Sequence, residues 1–197
     1  ATALGADVIE HMPVTGIELD GPRVAAVHTA GGTLRASKVL LAAGLWTRAL
    51  AQAAGANVPL YPCEHFYAVT EPVVGFETTP IVRVPDDGVY LKPDAGRMLI
   101  GCFERNAKPV DPADLPNPFS FAELPFDLEH FAGYLQAGID RLPELRDVGI
   151  RTWFNGPESF TPDGRYILGR CPERENLFVA AGFNSIGIQS AGGVGKV

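Results

Sequence analysis

Hydrophobic and polar positions along the chain fall into three regimes. Over residues 5–44 short apolar stretches are cut by turn residues. Val8, Val14 and Ile17 lead to an Asp20-Gly21 turn, residues 23–29 follow, and Gly31-Gly32 turns the chain again before residues 33–43. This pattern predicts a strand meander. Within it, Lys38-Val39-Leu40-Leu41-Ala42-Ala43-Gly44 is a near-continuous apolar run ending in glycine, the pattern of a strand buried on both faces. Residues 45–54 then read as a short helix closed by Gly55.

From residue 59 the period changes to two. In residues 61–70 one face carries Tyr61, Cys63, His65, Tyr67 and Val69, and the other carries Glu64, Phe66 and Ala68. Residues 89–92 and 98–104 are two more strands, joined across Pro93-Asp94-Ala95-Gly96. Residues 105–126 are Pro-rich and predict a surface loop. Asp127 is placed to cap a helix whose Leu128, Phe131, Leu135 and Ile139 share one face and which Pro143 ends. Residues 177–181 form a last apolar strand that breaks at Gly182 and runs into a helix of small residues. It is expected to pair with the 38–43 strand, so that Trp46 and Asn184 leave the sheet at one edge, where open α/β sheets hold ligands. The fold class is therefore α/β in the mixed α+β sense. One layer is discontinuous in sequence, 1–58 and 171–197, and an antiparallel sheet with a helix, 59–170, lies between.

Composition narrows the function classes. The chain has 197 residues, 46% hydrophobic and 20% charged, with a net charge of -7. That length buries a sizeable core. An acidic balance without a basic cluster argues against nucleic acid. No apolar run reaches membrane-spanning length, and no membrane partner is expected. Cys63, Cys102 and Cys171 are odd in number and widely spaced. They form neither a disulfide framework nor a zinc site and suggest a reducing, cytoplasmic setting. The four histidines are scattered, and no metal site is expected. No G-x-G-x-x-G opens a βα unit. The chain thus reads as an internal fragment of a longer enzyme, expected to bind a dinucleotide weakly or not at all by itself.

Five segments in order carry a family resemblance: Ala42-Ala43-Gly44-Leu45-Trp46, Glu64-His65-Phe66-Tyr67-Ala68-Val69-Thr70-Glu71-Pro72, Val89-Tyr90-Leu91-Lys92-Pro93, residues 155–163 (Asn-Gly-Pro-Glu-Ser-Phe-Thr-Pro-Asp) and residues 182–188 (Gly-Phe-Asn-Ser-Ile-Gly-Ile). Together they resemble the dimethylglycine and sarcosine dehydrogenase group of the FAD-dependent amine oxidoreductases, in the D-amino-acid-oxidase superfamily. The resemblance implies part of an FAD-binding domain in 1–58 and 171–197, and a substrate-binding domain in 59–170. It implies oxidation of a secondary or tertiary N-methyl amine such as sarcosine or dimethylglycine, with hydride passing to FAD and formaldehyde released after imine hydrolysis. Electron-transfer flavoprotein or oxygen would be the acceptor.

The same resemblance assigns roles. His65 and Tyr90 match the pair that orients the substrate amine and manages its proton. Histidine titrates near working pH, and a phenol can donate or accept. Read from the residues alone, His65 is also a core histidine on a sheet face beside aromatics. Val14, Ala43, Gly44 and Trp46 match positions beside the adenosine and ribityl portions of FAD; Trp46 read alone anchors its helix to the sheet. Phe183, Asn184, Ser185, Ile186, Gly187 and Ile188 match the segment whose backbone N–H groups reach the pyrimidine edge of the flavin. The family arrangement puts His65 and Tyr90 above the flavin and this segment beside its ring. Glu158, Thr161 and Asp163 form a loop with either a substrate-side role or a plain turn role. A lysine that holds the substrate carboxylate in monomeric sarcosine oxidases is Gln189 here, so another anchor is needed; Lys92 is one possibility and a solvated strand lysine is the other. Two rival functions share the fold. One is a non-catalytic regulatory subunit of the kind found with a mitochondrial phosphatase. The other is an amino-acid oxidase.

Overall fold

The computed structural model describes residues 1–116, 119, 120 and 122–197. In chain order the described residues form β1 (Val14–Asp20), β2 (Arg23–Thr29), β3 (Gly32–Leu34), β4 (Val39–Leu41), α1 (Thr47–Ala53), β5 (Tyr61–Thr70), β6 (Val82–Val84), β7 (Val89–Asp94), β8 (Arg97–Cys102), α2 (Leu128–Arg141), β9 (Ile150–Phe160), β10 (Ile167–Arg170), β11 (Leu177–Ala181) and α3 (Gly187–Val194). They belong to two compact units, Ala1–Tyr61 with Ser159–Val197, and Pro62–Glu158. The mixed α/β class read from the pattern is the class observed. The chain returns to the first unit at residue 159, earlier than the expected 171. The reason is pairing: β10 bonds antiparallel to β11, with Ile167 opposite Ala181 and Arg170 opposite Phe178.

In the first unit β1, β2 and β3 form an antiparallel meander. Gly21 turns the first hairpin with φ 55°, a left-handed conformation that suits glycine. The meander is shorter than the pattern suggested. Val8 lies outside any strand, and β3 stops at Leu34. The apolar run that follows joins a different sheet, β10-β11-β4. There β4 and β11 pair in parallel, with Leu177, Phe178 and Val179 opposite Val39, Leu40 and Leu41. Their C-terminal ends therefore leave the sheet side by side. Burial on both faces does not hold for β4: Leu41 is buried, but Leu40 is 60% exposed. The strand is at the sheet edge, and only one of its faces meets the core of Val24, Ala51, Ala54, Leu177 and Val179.

A buried amide ties the two sheets of this unit together. Asn176 is 3% exposed. Its Oδ1 accepts from the Val24 N–H at 2.8 Å, and its Nδ2 donates to the Val24 carbonyl at 2.9 Å. A primary amide satisfies both backbone groups where no strand continues.

In the second unit five strands lie in the order β6-β7-β8-β5-β9. The inward face of Phe66, Ala68, Val89, Leu91, Met98, Ile100 and Cys102 packs with Phe131 of α2. Gly138 of α2 lets the helix approach: a Cβ there would stand 3.0 Å from Ile100. Asp127 caps α2 as expected, accepting from the His130 N–H at 2.9 Å. Leu128 does not join the apolar face and is 54% exposed. The Pro-rich stretch 105–126 is only partly a surface loop. Glu64 N–H bonds to the Lys108 carbonyl and Val110 N–H to the Pro62 carbonyl, and Val110 and Leu115 are buried. Residues 117, 118 and 121 of that stretch lie outside the described residues.

Replacing Asn176 with Ala should destabilise the protein by about 1–3 kcal/mol, because two buried backbone groups lose their partner. Urea unfolding of the full chain measures it. A lower midpoint at unchanged slope is expected; an unchanged midpoint contradicts the role given to Asn176.

Candidate active site

The chemistry-bearing side chains of the second unit share one sheet face. Alternation on β5 turns Phe66 and Ala68 into the core, so His65 and Tyr67 take the other side. Register extends that side across the sheet. Tyr67 and Tyr90 both stand opposite Gly101 of β8, and Arg83 stands opposite Tyr90. Directly paired residues lie on the same face. Gly101 makes room for Tyr90: a Cβ there would stand 2.1 Å from the Tyr90 ring, which would have to move. Phe103, just past β8, gathers the group. Its ring centre is 5.6 Å from His65 and 5.6 Å from Tyr90, and the Arg83 guanidinium lies 4.6 Å above it. Phe154 of β9 stacks on Tyr67 at 4.5 Å. His65 and Tyr90, paired only by resemblance in the sequence, are thus neighbours on one aromatic face.

Electrostatics centre on Glu104. Its side chain is 1% exposed, yet it accepts three hydrogen bonds: His65 Nδ1 at 3.0 Å, Phe66 N–H at 3.0 Å and Cys102 Sγ at 3.1 Å. Glu158 of β9 approaches His65 Nε2 at 3.9 Å. Burial alone would lower the His65 pKa. The hydrogen bond and charge of Glu104, with the charge of Glu158, outweigh it and raise the value above 6.5. Burial alone would raise Glu104, but the bond to His65 and the His65 charge hold it below 4.5. Tyr90 is pushed up to about 12, first by burial and then by its anionic surroundings, including Glu158 and Glu104. Its phenol therefore stays protonated across the working range.

The other expected site residues lie in the first unit. Ala43 and Gly44 follow β4, and the turn Gly44–Trp46 leads into α1. Trp46 is 44% exposed, so it does not anchor its helix. Thr47 does: it is fully buried and its Oγ1 accepts from the Ala43 N–H at 3.1 Å. Val14 opens β1 and is also exposed. After β11 the backbone turns through left-handed Gly182, Asn184 and Ser185, with φ of 64°, 49° and 65°. The side chain of Asn184 is engaged within its own unit. Its Oδ1 accepts from Thr161 N–H at 2.9 Å, and its Nδ2 donates to the Gly182 carbonyl and to Thr161 Oγ1. Thr161 thereby has a structural use, and Asp163 accepts from the Arg165 N–H in its turn. Phe183 stacks on Tyr166 at 5.1 Å. Ile186, Gly187 and Ile188 enter α3, whose N-cap Ile186 offers no side-chain cap. Ile188 is 98% exposed. Gln189 is exposed in the first turn of α3, and Lys92 lies 3.9 Å from Asp94.

α3 thus starts without a side-chain cap, and the Ile186 N–H is held by the Phe183 carbonyl at 3.0 Å. Among the described residues no cluster of His, Cys, Asp and Glu could hold a metal. Also among them, no helix is long and apolar enough to cross a membrane.

The family model described as FAD dependent oxidoreductase matches residues 1–197. The chain belongs to this family. FAD is its cofactor. Among curated relatives of the family, human mitochondrial sarcosine dehydrogenase is 38% identical over all of this chain and 22% of its own length. The 4-methylaminobutanoate oxidase (formaldehyde-forming) of Paenarthrobacter nicotinovorans is 40% identical over all of this chain and 24% of its own length. A mouse mitochondrial pyruvate dehydrogenase phosphatase regulatory subunit is 32% identical, with 23% of its length covered. The chain therefore spans about a quarter of the length of these relatives. Among solved structures, glycine oxidase from Geobacillus kaustophilus superposes with a TM-score of 0.77 at 26% identity, covering 99% of this chain and 49% of that one.

Sequence reasoning passed over Glu104, Phe103 and Phe154. Glu104 ends the expected 98–104 strand but lies two residues beyond β8, and only the register of β8 against β5 brings it to His65.

The His65–Glu104 pair gives stability a pH signature. His65 is raised on folding, so its contribution is complete below pH 6.5 and is lost as pH rises through the folded value. Glu104 is lowered, so its contribution is complete above pH 4.5 and is lost as pH falls through the folded value. The stability gap between wild type and His65→Gln should peak between those limits and shrink at about pH 9. Urea midpoints at the two pH values measure it, and equal gaps contradict the ion pair.

Proposed function

We propose that the complete protein oxidises a secondary or tertiary N-methyl amine such as sarcosine or dimethylglycine, and that His65 and Tyr90 handle the amine. The observation that carries this reading is the His65 imidazole, held by a buried carboxylate on an aromatic face beside a protonated phenol. FAD, when bound, supplies the two-electron oxidation. Residues 183–188, Ala43, Gly44, Trp46 and Val14 are the positions we assign to holding it. The chain's own residues then have separate tasks. His65 takes the ammonium proton, which frees the nitrogen lone pair needed for oxidation. Tyr90 keeps its proton at working pH and orients the amine or its carboxylate. Tyr67, Phe154 and Phe103 present aromatic faces that suit a methylated amine. The names of two relatives, a sarcosine dehydrogenase and a methylaminobutanoate oxidase, support the substrate class. A non-catalytic regulatory role, as in the phosphatase subunit's name, has no evident use for a buried carboxylate held against this histidine. The acceptor we propose is oxygen or electron-transfer flavoprotein. The three free thiols suit a reducing compartment such as the cytoplasm.

Replacing His65 with Ala in the complete protein should slow anaerobic flavin reduction by about two to four orders of magnitude, the range for losing an acid–base group. Flavin content should not change. Stopped-flow absorbance with sarcosine and dimethylglycine measures it, and reduction at the wild-type rate would place the chemistry elsewhere.

A further inference from the structure

The carboxylate behind His65 is better placed than a chance salt bridge. Glu104 is closed off from water, and its two oxygens are divided between partners. Oε1 takes the Phe66 N–H and the Cys102 thiol; Oε2 takes His65 Nδ1. An ionised carboxylate only accepts, so Nδ1 must be the donor. A neutral His65 consequently carries its proton on Nδ1 and presents Nε2 as the acceptor. The Phe103 ring lies against the imidazole at 5.6 Å and limits its rotation.

We propose that Glu104 is the positioning residue of this site: it fixes His65 in the Nδ1–H form, so that proton exchange with an amine runs through Nε2. The proposal rests on the reading of His65 as the amine's proton acceptor. Glu104 itself touches no substrate. Its hold on Phe66 N–H ties it to the backbone of β5, so the carboxylate cannot swing away without breaking a strand contact. Glu158 from β9 adds a second negative charge on the Nε2 side at 3.9 Å. Cys102 of β8 shares the Glu104 carboxylate with the imidazole, and Tyr90 of β7 and the Arg83 cation lie against the same Phe103 ring as His65. An amine whose nitrogen must lose a proton meets an acceptor that two carboxylates keep basic, and the proton gained by Nε2 is stabilised by the Glu104 charge through Nδ1–H.

The test uses the complete FAD-loaded protein with 15N-labelled histidine. Two-bond nitrogen–proton couplings read the His65 tautomer and its titration without any substrate. The wild type should show Nδ1–H with bare Nε2 at alkaline pH. In Glu104→Gln the midpoint should fall and the Nε2–H form should appear. The acid limb of flavin reduction should move to lower pH and its plateau drop at least about tenfold, as for lost orienting partners elsewhere, with little change in KM. An Nε2–H tautomer in the wild type, or a titration that Glu104→Gln leaves in place, overturns the proposal. If the titration shifts while flavin reduction keeps its rate and pH profile, Glu104 holds His65 as proposed and the catalytic reading of His65 falls instead. Should Glu104→Gln fail to fold, the wild-type tautomer and the Glu104→Asp titration decide.

Discussion

Burial of one face of an antiparallel sheet beneath a single helix organises the chemistry of this protein. Phe66, Ala68, Leu91, Ile100 and Cys102 must face α2 and its Phe131, because that is where apolar area leaves water. A strand has a period of two, so the same requirement forces His65, Tyr67, Tyr90 and Arg83 to the opposite face. A slip of one residue in β5 would bury His65 and expose Phe66. Core packing thus sets the arrangement of the His65–Tyr90 face indirectly, through register. Gly101 shows how tightly: it stands opposite both tyrosines, and any side chain there would collide with Tyr90.

The first unit follows a different constraint. Two short parallel strands, β4 and β11, end at the same edge, each broken by a small-residue turn. The turns are held by side chains within the unit. Thr47 pins Ala43, and Asn184 clips Thr161 to the Gly182 turn. Left-handed Asn184 and Ser185 carry backbone strain that this clip sustains. Each turn is therefore fixed by a side chain from its own unit.

Legibility in the sequence followed the strength of local pattern. Alternation in residues 61–70 was readable because Phe66 and Ala68 fall on one face and His65 and Tyr67 on the other. The parallel pairing of residues 39–41 with 177–179 was readable from two matching apolar runs. Leu40 misled, since an apolar run does not say whether its strand is central or at an edge. Leu128 misled because the first residue of a helix can sit beyond the packed stretch. The pairing of residues 167–170 was not readable because β10 is short and its partner β11 comes after it. Glu104 was invisible: its setting is made by three donors from β5 and β8, and no spacing in one dimension encodes their convergence.

The central claim is that the His65–Tyr90 face receives the amine. A crystal structure of the complete, FAD-loaded protein with an N-methyl amine analogue that cannot be oxidised tests it most directly. The account predicts a heteroatom of the analogue within hydrogen-bond reach of His65 Nε2, about 2.6–3.2 Å, with the Tyr90 hydroxyl beside it. An analogue bound in the same crystal with both His65 and Tyr90 out of reach would contradict it.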